Sequence, residues 1–121
     1  MISKNHRFHG YGSLNWAYQK AHKVSNPQIT LKYIVNPKRS SYRVAVVVSK
    51  KVSKSAVVRN RIRRRIYEQV RLLDAQIQDS YDLIFSIYTA DILELSPDNL
   101  RSLIISLLTK SRVISENPKL S

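Results

Sequence analysis

Residues 49–73 read SKKVSKSAVVRNRIRRRIYEQVRLL and hold nine of the chain's twenty-one lysines and arginines, with one acid, Glu68, among them. The basic residues are Lys50, Lys51, Lys54, Arg59, Arg61, Arg63, Arg64, Arg65 and Arg71. Val58, Ile62, Ile66, Val70 and Leu73 recur at steps of four, four, four and three, which places them along one side of a helix. Asn60, Arg64, Tyr67 and Arg71 fall on the opposite side. Arg59 and Arg63 flank the apolar stripe on one edge, Arg61 and Arg65 on the other. Ser55 stands where an N-cap belongs. One face of this helix is suited to burial, and the remainder presents guanidinium groups.

Most charge runs are solvated faces of ordinary helices. Here the crowding argues for more. Like charges four apart, such as Arg59/Arg63 and Arg61/Arg65, repel and cost helix stability. A sequence shaped by folding alone would intersperse acids. Guanidinium is planar, always charged, and donates in a fork that matches phosphate oxygens. The helix therefore points to an anionic polymer. The loop Lys50–Lys54 and the backbone N–H groups at the helix start add to the same positive surface.

The rest of the composition agrees. The chain has 121 residues, a formal net charge of +13 and a pI of about 10.4, as in a nucleic-acid binder. All eight acids lie at or after Glu68, so the charge is sided. With no cysteine, disulfides and thiolate metal sites are excluded. No apolar run approaches the ~20 residues of a membrane span. The N-terminus MISKNHRFHGYG lacks an apolar signal core, and a cytoplasmic protein is expected. The arginine helix has neither Trp nor Phe in its apolar stripe, which disfavours a membrane-surface role.

Outward from the helix, the chain divides into a basic arm over residues 1–12, one domain over 13–114 and a frayed tail over 115–121. His6 and His9 lack a third ligand nearby and are expected to be solvated, so no metal site is expected. Ser13 caps a helix over LNWAYQKAHK, with Leu14, Ala17, Tyr18 and Ala21 on one side. From pattern alone Leu14 and Tyr18 are core residues. Asn26-Pro27 turns the chain. Gln28–Asn36 alternates as a strand, with Ile29, Leu31, Tyr33 and Val35 on one face and Gln28, Thr30, Lys32 and Ile34 on a wetter one. After the turn Asn36–Ser40, the apolar run Tyr42–Ser49 is expected as a central strand, in an antiparallel hairpin with the one before it. Asp82–Tyr88 is a further strand, with Leu83, Phe85 and Ile87 on one face. Ser96-Pro97-Asp98 starts a last helix, whose stripe is Leu100, Leu103, Ile104, Leu107 and Leu108. The class is α+β, in the order α-β-β-α-β-α with room for one extra short strand. Helices on one side of the sheet would leave the other face available for binding.

No catalytic constellation emerges. There is no glycine-rich phosphate loop, no cysteine nucleophile, no carboxylate pair at metal-dependent nuclease spacing, and no Ser/His signature. Binding, not bond breaking, is the expected contribution.

The segment Ala56-Val57-Val58-Arg59-Asn60-Arg61-Ile62-Arg63-Arg64, preceded by Ser49-Lys50-Lys51, closely resembles the signature of the bacterial ribonuclease P protein subunit. The Arg7-Phe8 arm, the Leu14–Tyr18 helix, Pro27-Gln28-Ile29-Thr30, DLIFSIY and the last helix fall in that family's order and spacing. The resemblance implies a compact α/β sandwich like a ribosomal-protein domain, with a left-handed β-α-β crossover. It also implies a division of labour. A catalytic RNA, with magnesium held mainly by that RNA, removes the 5′ leader of precursor tRNA, and a protein that is monomeric alone binds both RNAs. The implied RNA-binding set is Lys50, Lys51, Lys54, Arg59, Asn60, Arg61, Arg63 and Arg64. The implied leader cleft is Leu14, Tyr18, Thr30 and Lys32, which moves Tyr18 from core to cleft. A stacking platform beside a basic groove suits single-stranded RNA. The chain departs from the family at Leu14, usually aromatic, in a loop glycine replaced within Val52–Ser55, and at Arg65 and Tyr67, often an apolar and a basic residue. The alternatives are a ribosomal or general RNA-binding protein without a processing role, and a DNA-binding helix in a major groove.

Overall fold

The computed structural model describes residues 6, 16, 19–77 and 80–114. Four strands form one sheet: β1 (His22–Ser25), β2 (Ile29–Val35), β3 (Arg43–Val48) and β4 (Tyr81–Ile87), in the spatial order β1-β2-β4-β3. Helix α1 (Ala56–Leu72) lies between β3 and β4 in sequence, and α2 (Pro97–Lys110) follows β4. Short 3-10 turns at Asp74–Gln76 and Ala90–Glu94 complete the described elements.

The central strand is β4, not β3. β4 pairs antiparallel with β2, Leu31 opposite Phe85, and parallel with β3, Val46 opposite Phe85. The hairpin expected between β2 and β3 does not form, because β4 inserts between them. The local turn forms as expected: Asn36 Oδ1 accepts from Lys38 N at 3.1 Å, and Arg39 N donates to the Asn36 carbonyl at 3.1 Å. A turn does not choose a strand's neighbour, however. β4 is buried on both faces from Asp82 to Ile87, which suits the middle of a sheet. The parallel pair β3/β4 needs a crossover. The 17 residues of α1 supply it, spanning roughly 25 Å at 1.5 Å per residue.

The extra short strand is β1. His22 and Lys23, expected at the end of a helix, pair instead with Tyr33 and Lys32. Trp16, Gln19 and Lys20 are helical; Leu14 and Tyr18 lie outside the described residues, as does the tail from residue 115. Asn26 closes the β1–β2 turn, its Oδ1 accepting from the backbone N–H of Gln28 and of Ile29, each at 2.9 Å.

Both helices lie on one face of the sheet. Ile29, Leu31, Val44, Val46, Val48, Leu83, Phe85 and Ile87 meet Ile62, Ile66 and Val70 of α1 and Leu100, Ile104, Leu107 and Leu108 of α2 in one core. Ser96 caps α2 with Pro97 in its first turn, as the sequence predicts. The other face carries Thr30, Lys32, Ile34, Arg43, Ala45, Asp82, Ile84 and Ser86. It is less open than its composition implies: Thr30 and its cross-strand partner Ser86 are each 8% exposed, and Ile84 is fully buried.

An ion pair fastens β3 to β4 on that face. Arg43 Nε donates to Asp82 Oδ1 at 2.9 Å and Nη2 to Oδ2 at 2.8 Å, while Asn36 Nδ2 adds a bond to Oδ2 at 3.1 Å. All three residues are buried. Removing one partner strands the other charge away from water. Asp82→Ala should therefore lose about 3–5 kcal/mol of stability in urea unfolding, and a paired Arg43→Met/Asp82→Leu replacement should recover most of it. A loss no larger than that of an exposed salt bridge would contradict this role.

Candidate nucleic-acid interface

The apolar stripe sets the rotation of α1. Ile62, Ile66 and Val70 are fully buried, Leu73 nearly so, and Val58 packs against their edge. Asn60, Arg61, Arg64 and Arg71 consequently face solvent, with Arg59, Arg63 and Arg65 half-buried at the flanks. Ser55 caps the helix, its Oγ accepting from Val58 N at 3.3 Å. The first turn holds no acid. Lys50, Lys51 and Lys54 are exposed on the turn that leads into it. Tyr67, placed opposite the stripe by periodicity, is half-buried and packs against the core.

The flanking arginines are held by neutral acceptors. Arg59 Nη1 donates to the Ser53 carbonyl at 2.9 Å and so ties the basic loop to the helix. Arg63 Nη2 donates to Asn60 Oδ1. Arg65 bonds the carbonyls of Ile92 and, at 2.6 Å, Leu95, and so clamps the 3-10 turn after β4 onto α1. Such bonds fix a guanidinium without cancelling its charge. Among the described residues no carboxylate pairs with Lys50, Lys51, Lys54, Arg59, Arg61, Arg63, Arg64 or Arg65. The helix's one acid is spent farther along: Glu68 is bound by Arg71, whose hydrogen bond holds its carboxyl below the usual carboxylate range.

Of the RNA-binding set that the family resemblance implies, Lys50, Lys51 and Lys54 lie exposed on the turn before α1, Asn60, Arg61 and Arg64 lie exposed on the helix, and Arg59 and Arg63 are half-buried at its flanks. Lys32 and Thr30 lie on the sheet's opposite face from the helices, Lys32 half-buried. Thr30 Oγ1 accepts from Tyr88 Oη at 2.9 Å. The exposed Tyr88 ring beside Thr30 was not singled out beforehand, although it ends the predicted strand. His6, expected to be solvated, stacks on Tyr42 with centroids 4.0 Å apart, its Nδ1 2.9 Å from the Tyr42 carbonyl. Its Nε2 lies 3.6 Å from Asp74, which also accepts from the Tyr42 hydroxyl. Burial, that bond and the carboxylate's charge together raise the phenol's pKa. The described residues include no group of three or more His, Asp or Glu side chains that could hold a metal ion.

A small α+β domain with a crossover helix whose arginines from Arg59 to Arg65 have no carboxylate partner among the described residues defines the class. The family model described as Ribonuclease P matches residues 2–112, and the chain belongs to that family. It is 35% identical over 102 residues to the ribonuclease P protein component of Thermoanaerobacter sp. (strain X514), covering 84% of this chain and 85% of that one. With the ribonuclease P protein component of Alkaliphilus metalliredigens it shares 31% identity over 114 residues, covering 94% of this chain and all of the other. The fold is that of the RNase P protein from Staphylococcus aureus (TM-score 0.79, 24% identity, 91% and 98% of the two chains). It also matches the RNase P protein from Thermotoga maritima (TM-score 0.72, 18% identity, 82% and 91%).

The two kinds of arginine separate experimentally. Arg65→Ala removes charged bonds to two carbonyls and should cost about 1.5–3 kcal/mol of stability. Arg61→Ala and Arg64→Ala should leave the melting temperature nearly unchanged. A thermal melt that ranks them the other way would contradict the clamp.

Proposed function

We propose that this chain is the protein cofactor of a ribonucleoprotein endonuclease that matures tRNA 5′ ends, with bond cleavage carried out by the partner RNA. The observation that carries this reading is the cluster of cations from Lys50 to Arg64, with no carboxylate partner among the described residues, taken with membership of the Ribonuclease P family. Exposed Lys and Arg groups displace counterions from an RNA backbone, and forked guanidiniums grip its phosphates. Arg61 and Arg64 are poised for this, with Arg59 and Arg63 pre-oriented by Ser53 and Asn60. Asn60 gains its value in this scheme by holding Arg63.

The leader of precursor tRNA runs along the sheet face opposite the helices. Lys32 attracts its backbone, and Thr30 with Tyr88 forms one wall. Leu14 and Tyr18 lie outside the described residues; Tyr18 supplies the stacking ring implied by the family resemblance, and Leu14 an apolar contact. Magnesium is held by the RNA, and no step here runs through an ion on the protein. No helix among the described residues is long and apolar enough to cross a membrane; we place the protein in the cytoplasm, monomeric before it meets its RNA.

Reconstitution tests the proposal. Added to a bacterial ribonuclease P RNA at low magnesium, the protein should stimulate precursor-tRNA cleavage. Full RNA affinity without stimulation would favour a general RNA-binding protein, and a preference for duplex DNA would favour a major-groove helix. Within this scheme, Arg61→Ala or Arg64→Ala should weaken RNA binding and lower its salt slope by about one contact each. An unchanged slope would remove that residue from the interface.

A further inference from the structure

A groove of about 520 Å³ runs between α1 and the start of α2. That volume falls within the roughly 300–1,000 Å³ typical of sites for small organic ligands. Arg64 and Arg65 line it from α1 and Arg101 from α2, with Leu72 and Pro97 as its apolar surface. Arg65 is occupied by the Ile92 and Leu95 carbonyls. Arg64 is free of partners among the described residues. Arg101 has one hydrogen bond, its Nε donating to Gln69 Oε1 at 3.1 Å, and a long ion pair at the surface, its Nη1 standing 4.0 Å from the exposed Asp98. Gln69 is 5% exposed and lines the same groove, and its amide nitrogen has no partner among the described residues. The groove's acid, Glu68, is engaged by Arg71.

We propose that this groove receives one unpaired nucleotide of the partner ribonuclease P RNA, its phosphate between Arg64 and Arg101 and its base against Leu72 and Pro97. The proposal rests on the reading that α1 faces that RNA. The chemistry favours a nucleotide over a bare anion, because two guanidinium groups, one of them held at its Nε by Gln69, share the groove with an apolar surface of Leu72 and Pro97. The side-chain amide of Gln69, which lines the groove, is also at hand to bond a base edge. The source is the catalytic RNA, not the leader. Arg64 belongs to both the groove and the cationic surface, whereas Thr30 and Lys32 lie across the sheet from the helix layer.

The test uses the full chain and a bacterial ribonuclease P RNA, with R101Q, L72E and R61A beside the wild type. R101Q and L72E should each weaken binding about tenfold, as loss of a stacked or clamped nucleotide does. Probing of 2′-hydroxyl flexibility should show one unpaired nucleotide that the wild type protects and L72E exposes. Leu72 is already half in solvent, so L72E keeps its fold even if R101Q loosens Gln69. Unchanged binding by R101Q and L72E, with R61A impaired, overturns the groove and spares the helix interface. Unchanged binding by all three removes both. Defects confined to leader-bearing precursor tRNA also overturn the assignment, since the occupant would then be the leader.

Discussion

The burial of Ile62, Ile66 and Val70 in the core beneath the sheet is the constraint on which the rest depends. It fixes the rotation of α1 about its axis. Once that rotation is set, every arginine on the helix has an assigned direction, and none can turn inward without exposing the seam. Each fully buried isoleucine is worth about 2–5 kcal/mol against truncation, far more than the few tenths lost to each like-charge pair four residues apart. The core thus holds in place a charge arrangement that an isolated helix would resist.

The same comparison explains how the charges are held. A carboxylate would anchor a guanidinium and also neutralise it. Arg59, Arg63 and Arg65 use a carbonyl, an amide and two carbonyls instead. They gain orientation, and the field over the surface survives. Acid-based pairing is kept where a field is of no use: Arg43 with Asp82 inside the sheet, and Arg71 with Glu68 beyond the cluster. The sidedness of the sequence, with all eight acids at or after Glu68, is the linear trace of this arrangement.

Much of this was legible beforehand. Periodicity gave the buried and exposed sides of α1, and Ser55 and Ser96-Pro97 marked the helix starts, because those signals are local. Strand neighbours were not legible. Good turn residues over Asn36–Ser40 made β2 and β3 look like a hairpin, but β4 inserts between them, and β3, with five of its six residues buried, still ends at the sheet's edge. His22 and Lys23 went to β1 because β2 offered them an edge, which no helical pattern records. Arg43 and Asp82 could have been found: each is a lone charge in an apolar strand, and a buried charge requires a partner. Arg65 already stood outside the RNA-binding set that the family resemblance implies, but its role as a clamp was not legible, since its acceptors are carbonyls some thirty residues away.

The central claim is that the turn Lys50–Lys54 and the helix up to Arg64 present cations that no carboxylate among the described residues offsets. The salt dependence of wild-type affinity for a bacterial ribonuclease P RNA measures this most directly. If Lys50, Lys51, Lys54, Arg61 and Arg64 all meet phosphates, log K should fall against log salt with a slope of roughly −3.5 to −4.5, at ~0.7–0.9 per contact. A slope near zero would mean that the surface meets no phosphate, and would contradict the account.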